Sequence, residues 1–441
     1  MRFNVISKDG DGLGFALRLQ DEGNEVRIFI DAESATPVGD NLVPKVGSIH
    51  DLLLDAKPET DTFVFDTSGD GLIADHIREL GFAVIGSCSI ADRLERDREY
   101  GLNVMATCGD SETTSIQIPK SVNFTSFEKA KQYVADNPDD RLVYKPSNLL
   151  GDKSPSHVAY NAEDMLELLE NVERDVDMAE PEFVLQEFHK GIAVSSEVWF
   201  DGRTVWPFSN HTLERKELMD GNVGPSGGCT GNIVWACQGC ALCDEVKKLI
   251  PFLKENNYHG PLDLNAIASE DGIYGLEFTP RFGYDATPTL LWQLLHGDVG
   301  RFFNDFARCS AGVGRNEIIH DRFAAGLRIT VPPWPSEKFN ADADVPIFGL
   351  SEEMEADTYF YNVKAGSITK YATAGVWGIL MLLTSSGRSI EEAFKKPYEW
   401  VEKLHVSNKQ YRTDLATQLE KDLAELEATL GMEVTRSAIS S

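Results

Sequence analysis

With 441 residues, the chain exceeds what one ordinary hydrophobic core organises, so two to four domains are expected. Hydrophobic residues make up 42% and aromatic residues 10%, which argues against disorder, and no apolar run approaches the roughly 20 residues of a membrane span. The formal charge of -30, from 71 acidic and 41 basic side chains, repels any polyanion and so excludes non-specific binding of nucleic-acid polymers; a small anion can still be held by a local cluster of Lys, Arg and backbone N-H groups.

The start, Met1-Arg2-Phe3-Asn4-Val5-Ile6-Ser7, is too short in its apolar part for a signal peptide and reads as a first strand, so a cytoplasmic protein is expected. Strands over 3–7, 26–30, 62–65 and 82–85 alternate with helices over 14–20 and 73–80, a pattern that predicts a parallel sheet in an α/β domain spanning 1–115. The turn Asp9-Gly10-Asp11-Gly12-Leu13-Gly14 opens a helix, where an anion could be received. It lacks the G-x-G-x-x-G spacing and its two aspartates would repel phosphate, so it reads as a tight turn open to substrate contact.

From residue 116 the pattern becomes α+β with antiparallel pairs, predicting a second domain over 116–321. Helices are expected over 126–135, 162–169 and 243–256, and strands over 142–145, 183–188, 194–200 and 204–208. The run Gly272-Ile273-Tyr274-Gly275-Leu276 reads as a buried strand with Glu277 emerging at a Pro/Gly turn, and 261–267 reads as its hairpin partner. That pairing would set Asn265 beside Glu277. A third, small α+β domain over 322–441 is expected from strands at 324–331 and 358–363, a helix at 390–404 and an amphipathic helix at 415–430 that packs onto the body of the chain.

Three features carry chemistry. Glu277-Phe278-Thr279-Pro280-Arg281 ends an apolar strand on a carboxylate followed by an arginine. Hard oxygens on neighbouring strands suit Mg²⁺ when triphosphate oxygens complete its shell, and a nearby Arg neutralises the same phosphates; the plain alternative is a surface salt bridge. Lys145, at a strand end, and Lys153, on a loop, are spaced to clamp two phosphates, while Phe183-Val184-Leu185-Gln186-Glu187-Phe188 offers a strand edge whose backbone could read an adenine edge, with Glu187 available to a ribose or amino group. Finally, Cys229, Cys237, Cys240 and Cys243 could hold Zn²⁺ or an iron-sulfur cluster, or be no more than packed reduced thiols.

In this order the motifs resemble the ATP-grasp fold and, within it, the phosphoribosylamine-glycine ligase family, over nearly the whole chain. Val84-Ile85-Gly86-Ser87 sits where that family leaves its first domain, both lysines keep its spacing, and Leu185-Gln186-Glu187-Phe188 falls at its adenine hinge. Gly224-Pro225-Ser226-Gly227-Gly228 looks like its glycine-rich loop near the reacting phosphate, while Glu277-Phe278 and Arg281-Phe282-Gly283 match its most specific signature. The resemblance implies ATP and Mg²⁺, with Lys145, Lys153, Gln186, Glu187, Phe188 and Arg281 on the nucleotide. It implies Glu277 with Asn265 and Thr279 at the metal, and Arg281, Lys153, Gly227 and Gly228 at the reacting phosphate. The implied reaction is a two-step ligation: a carboxylate such as glycine attacks the γ-phosphate, and an amine captures the acyl phosphate as an amide. No protein nucleophile is required.

The chain also departs from the family. Thr279 stands where an Asn is usual, and Pro146-Ser147-Asn148-Leu149-Leu150 is bulkier than the usual phosphate loop. Tyr284-Asp285-Ala286-Thr287 replaces an acidic, proline-containing run. Ala374-Gly375-Val376 lacks a phosphate-binding arginine, and Asp66-Thr67-Ser68-Gly69-Asp70 replaces a Pro-Glu segment, with Asp66 a candidate holder of an amine. The acceptor is therefore expected to be phosphoribosylamine or a divergent nucleotide-like amine. Small-molecule substrates, no membrane or nucleic-acid polymer, and a monomer or small homo-oligomer complete the expectation. A nucleotide-binding protein without catalysis and a Cys-cluster metal protein are the alternatives.

Overall fold

The computed structural model describes residues 1–86, 88–107, 116–146, 156–175, 182–237, 241–309, 318–336 and 338–430. Strands β1 (Arg2–Ser7), β2 (Glu25–Ile30), β3 (Asp61–Phe65) and β4 (Ala83–Ile85) form a parallel sheet in the order β2-β1-β3-β4, as the strand-helix alternation predicted. Phe3, Val5, Val64 and Ile85 are buried, because parallel strands are covered on both faces. The carboxyl ends of β1 and β3 therefore open a crevice bordered by the turn before helix Leu13–Asp21.

Strand β5 (Ile116–Gln117) leads into a small antiparallel sheet of β6 (Ser121–Phe124), β7 (Leu142–Pro146), β8 (His157–Val158) and β9 (Phe183–Glu187), ordered β6-β9-β7-β8. Phe124 and Phe127 stack on Phe183 and fix helix Phe127–Asp136 against it.

A nine-stranded sheet dominates the rest. It contains β10 (Ile192–Phe200), β11 (Val205–Met219), β12 (Val223–Cys237), β13 (Gly260–Ser269), β14 (Gly272–Thr279) and β15 (Phe323–Thr330). After β16 (Ala343–Ile347), β17 (Thr358–Phe360) joins it, while β18 (Val363–Ala365) and β19 (Tyr371–Ala374) pair with β16 in a separate sheet, and β20 (Ile379–Gly387) returns to the large one. The order β17-β20-β15-β12-β11-β10-β13-β14-β5 makes one sheet continuous across residues 321 and 322. The strand expected over 358–363 is divided, since Tyr361 and Asn362 carry the chain from one sheet to the other.

Two further expectations are corrected. The residues read as a short strand over 204–208 and a glycine-rich loop over 224–228 lie in a hairpin of two 15-residue strands, β11 and β12, turned at Gly221 and Asn222, both at positive φ. The single helix expected over 243–256 is two, Ala241–Lys247 and Ile250–Glu255. Pro251 has no N-H to extend the first helix and suits the first turn of the second. Helix Leu415–Leu430 packs onto the body, burying Leu415, Leu419 and Leu426. Among the described residues no helix is long and apolar enough to cross a membrane.

Candidate functional site

The β13/β14 hairpin sets Asn265 directly opposite Glu277. The register then shifts, so that Ala266 faces Gly275 and Leu276 is the extra residue of a bulge that re-aims the following side chain. The strand continues past Glu277 to Thr279, which pairs with Asp263. Alternation along the strands puts Glu277, Thr279, Asn265 and Asp263 on one face, extended by Ser195 and Glu197 of β10. Phe278 and Leu264 are buried on the other. Asn265 Nδ2 donates to Thr279 Oγ1 at 2.9 Å, which turns the two side chains toward each other beside the carboxylate.

Arg98, opening helix Arg98–Thr107, donates from Nη1 to Glu277 Oε2 at 2.9 Å. Partial desolvation would lift the pKa of the half-exposed Glu277, but Arg98, Lys145 and Lys216 outweigh it and hold the group below the usual carboxylate range. Lys145 on β7 is buried, and that burial lowers its pKa to about 8 although Glu277 works in the opposite direction. Lys216 on β11 is raised, chiefly by Glu214, whose carboxylate lies 3.4 Å away. Leu94, Glu95, Arg98, Lys145, Gln186 and Glu277 line one cavity. Arg98 and Lys216 escaped the sequence reading because nothing in their local patterns marks them; they arrive from other elements.

Arg281 does not sit against Glu277. Its Nε donates to Glu95 Oε1 at 3.0 Å, its Nη1 to the Phe282 carbonyl at 3.0 Å, and its guanidinium lies 4.3 Å over the Tyr284 ring. Burial opposes its charge, and Glu95 and Tyr284 more than compensate, so its pKa is raised.

The strand-edge reading of 183–188 is corrected: β9 is flanked by β6 and β7, so its ladder groups are already used. Gln186 is buried and donates to Ser121 Oγ at 2.9 Å. Past the strand's centre, Glu187 N-H donates to the Lys120 carbonyl and Phe188 N-H to the Arg141 carbonyl, each at 2.9 Å, so neither is free to read a base. Lys153 lies outside the described residues.

Gly227 and Gly228 belong to β12, so the residues expected as a loop over 224–228 are strand. A Cβ at Gly227 would come within 2.1 Å of the Trp334 ring, so ring packing requires that glycine. The Gly227 carbonyl faces Arg328 Nη1 at 3.4 Å. Arg328 makes two bonds to Asp285, of 2.9 and 2.6 Å, and Tyr361 donates its hydroxyl to the same carboxylate at 2.7 Å.

At the crevice beyond β1 and β3, Asp66 is buried, and that burial, with Asp11 and Asp9 adding repulsion, lifts its pKa to about 8. Ser7 Oγ donates to Asp66 Oδ2 and accepts from the Gly10 and Gly12 N-H groups, whereas Asp66 Oδ1 has no partner among the described residues. The neighbouring Thr67 hydroxyl lies 3.4 Å from the Tyr284 hydroxyl, so this crevice borders the Arg281 end of the cleft. Glu197 and Asp263, directly opposite on β10 and β13, are both raised by burial, Asp263 to about 7.

The four-thiol set does not assemble. Cys229 lies eight residues before Cys237 on the same strand, a distance of roughly 26 Å at the usual strand rise, and sits near Asp285 and Arg328 instead. Cys237 Sγ and Cys243 Sγ lie 4.0 Å apart, and Cys240 lies outside the described residues.

Residues 110–287 match the family described as Phosphoribosylglycinamide synthetase, ATP-grasp (A) domain. The chain is 26% identical over 363 residues to phosphoribosylamine--glycine ligase of Streptomyces coelicolor, covering 78% of this chain and 80% of that protein. It is 24% identical over 372 residues to the bifunctional purine biosynthetic protein PUR2,5 of Pichia angusta, covering 81% of this chain but only 45% of that longer relative. The structure of phosphoribosylamine--glycine ligase from Thermotoga maritima superimposes with a TM-score of 0.68 at 19% identity, covering 94% of this chain and 100% of that one. The chain thus has the ATP-grasp fold expected of it, and it is an ATP-grasp protein related to phosphoribosylamine-glycine ligase at about 25% identity.

Proposed function

We propose that the protein joins the carboxylate of glycine or another amino acid to an amine, through an acyl phosphate made from ATP, and that the amine enters at Asp66. One observation carries the ATP half of the reading: Glu277, Asn265 and Thr279 share a face of the sheet while Arg98, Lys145 and Lys216 surround the carboxylate. ATP-grasp proteins use ATP with Mg²⁺. The residues suit that ion: Glu277 and Asn265 offer hard oxygens, and the buried Asp263 Oδ1 and Glu95 Oε2 are without a partner among the described residues, while the equally unpartnered Arg98 Nε suits a phosphate oxygen. Held there, Mg²⁺ would neutralise phosphate charge.

The protein's own groups position and stabilise charge. Lys145 and Arg98 would face the triphosphate, with Gln186 beside them in the same cavity. Arg281, held by Glu95 and Tyr284, would spread the charge on the γ-phosphoryl group. The substrate carboxylate oxygen bonds to the γ-phosphorus as the bond to the β-γ bridging oxygen breaks and ADP leaves. The amine nitrogen then bonds to the acyl carbon, phosphate departs, and the nitrogen loses a proton. Asp66, with a pKa near 8, is suited to receive the amine as its ammonium form and to take one proton from it before attack, which frees the lone pair; the departing phosphate can take the proton that the nitrogen then loses.

The acceptor most consistent with this crevice presents an amine, not a phosphate, to the turn after β1. Asp9, Asp11 and Asp66 together favour a cation and repel an anion. This supports a divergent acceptor over phosphoribosylamine itself. The test is ADP and phosphate release with MgATP, glycine or other amino acids, and a panel of amines including phosphoribosylamine, with products identified by mass. Amino-acid-dependent turnover with an amide product supports the ligation. Turnover with phosphoribosylamine alone among the amines overturns the divergent acceptor, and no turnover with any pair favours a nucleotide-binding protein without catalysis.

A further inference from the structure

We infer that His211, Cys237 and Cys243 form a binding site for one Zn²⁺, separate from the nucleotide cleft. The three side chains arrive from β11, β12 and helix Ala241–Lys247, and their ligand atoms all lie within 4.8 Å of one another. In the β11/β12 register His211 faces Trp235 and Ser209 faces Cys237, so His211 and Cys237 are diagonal neighbours on one face of the sheet. The helix that carries Cys243 packs on β10 and β13.

The separations suit tetrahedral zinc. Bonds of about 2.3 Å to sulfur and about 2.0 Å to nitrogen at tetrahedral angles place two sulfurs about 3.8 Å apart, and nitrogen and sulfur about 3.5 Å apart. The observed distances are 4.0 Å from Cys237 Sγ to Cys243 Sγ and 3.4 Å from Cys237 Sγ to His211 Nε2. The imidazole is also oriented for the task. The buried Ser196 Oγ lies 2.7 Å from His211 Nδ1, which leaves Nε2 facing the sulfurs, as the outer partner of a metal-binding histidine does. Two thiolates, a neutral imidazole and Zn²⁺ sum to no net charge, so the assembled site avoids the cost of an isolated buried ion. Soft sulfur donors select zinc over the magnesium expected at Glu277.

Strand alternation sets this site apart from the ligation chemistry. Ser196 and His211 lie in the row that continues through Leu264 to Phe278, opposite the face bearing Glu277 and Asn265. Zinc here would staple β11, β12 and the following helix without touching nucleotide.

The test is metal content of the full chain purified without chelator from zinc-supplemented cells. About one zinc per chain is expected, falling more than fivefold in Cys237→Ser and His211→Gln and unchanged in the control Cys88→Ser. Because a ligand variant could fail to fold, wild-type protein stripped of metal and titrated with Co²⁺ alone provides a second reading: the site should give thiolate-to-cobalt charge-transfer absorption at one equivalent. Substoichiometric zinc with no such band overturns the proposal. An intact mass two hydrogens lighter than the reduced chain, with a peptide map linking Cys237 to Cys243, also overturns it in favour of a disulfide.

Discussion

Arg98 donates to Glu277 at 2.9 Å across a separation of 179 residues. The contact ties helix Arg98–Thr107 to the end of β14, and it places a guanidinium on the carboxylate proposed to meet Mg²⁺. Glu277→Gln keeps the shape and loses the charge. It is expected to lower ATP turnover by at least ~100-fold, as the loss of a transition-state charge contact does. The melting temperature should fall slightly at neutral pH, because the folded chain favours the charge that is lost. Arg98→Met should raise the KM for ATP about tenfold, the size of one charge-assisted hydrogen bond, with a smaller effect on kcat. Steady-state kinetics on the two variants check both; a Glu277→Gln enzyme with wild-type turnover would remove Glu277 from the site.

Lys145 sets a pH dependence. Burial lowers its pKa to about 8, so before nucleotide binds the side chain is charged at pH 7 and neutral above pH 9. A triphosphate binds the charged form, and the KM for ATP should therefore climb as pH rises through about 8. Lys145→Arg should remove that limb, because a guanidinium stays protonated throughout. Linkage gives a second sign: the unfolded chain binds one more proton than the folded chain between pH 8 and the ordinary lysine range, so stability rises with pH over that window. ATP titrations at pH 6.5 to 9.5 on both proteins test the first sign, and urea unfolding tests the second.

Asp285 and Arg328 form a buried pair whose loss should be structural first. Both side chains are almost wholly excluded from solvent, and Tyr361 completes the carboxylate's bonds. Asp285→Ala leaves the Arg328 charge unmatched and is expected to cost ~3–5 kcal/mol, whereas Asp285→Leu with Arg328→Met should recover much of it. Thermal unfolding of the single and double variants measures the difference. A double variant as unstable as the single one would mean that the pair's packing, not its charge, dominates.

The β13/β14 hairpin was legible from its short turn and apolar pattern, but strict pairing from that turn would set Asn265 opposite Leu276; the bulge at Leu276, which the pattern does not announce, brings Asn265 opposite Glu277. The β11/β12 hairpin was not legible. Its glycines suggest a loop, yet Gly227 is required because the Trp334 ring, far along the chain, fills the space a side chain would need. In the same way Phe183 to Glu187 read as an edge, because a strand's neighbours are tertiary facts; β6 and β7 cover it on both sides. Cys229 looked like a partner of Cys237 by sequence distance, but an extended strand carries the two apart. His211 joins Cys237 and Cys243 instead, through cross-strand register.

Asp66 offers a split between stability and function. Its pKa of about 8 exceeds the ordinary value, so its contribution to stability is fully present below the usual carboxyl range and is lost as pH rises through about 8. Asp66→Asn should therefore melt higher than wild type at pH 8, by about 1 °C for each ~1 kcal/mol recovered in a chain of this length. The two proteins should converge in acid. If Asp66 holds the acceptor amine, the same variant should raise the KM for that amine about tenfold or more while leaving the KM for ATP in place. The two readouts are independent: a stabilised variant with unchanged amine kinetics would mean that the buried carboxyl serves only the turn built on Ser7, Gly10 and Gly12, and that the acceptor enters elsewhere.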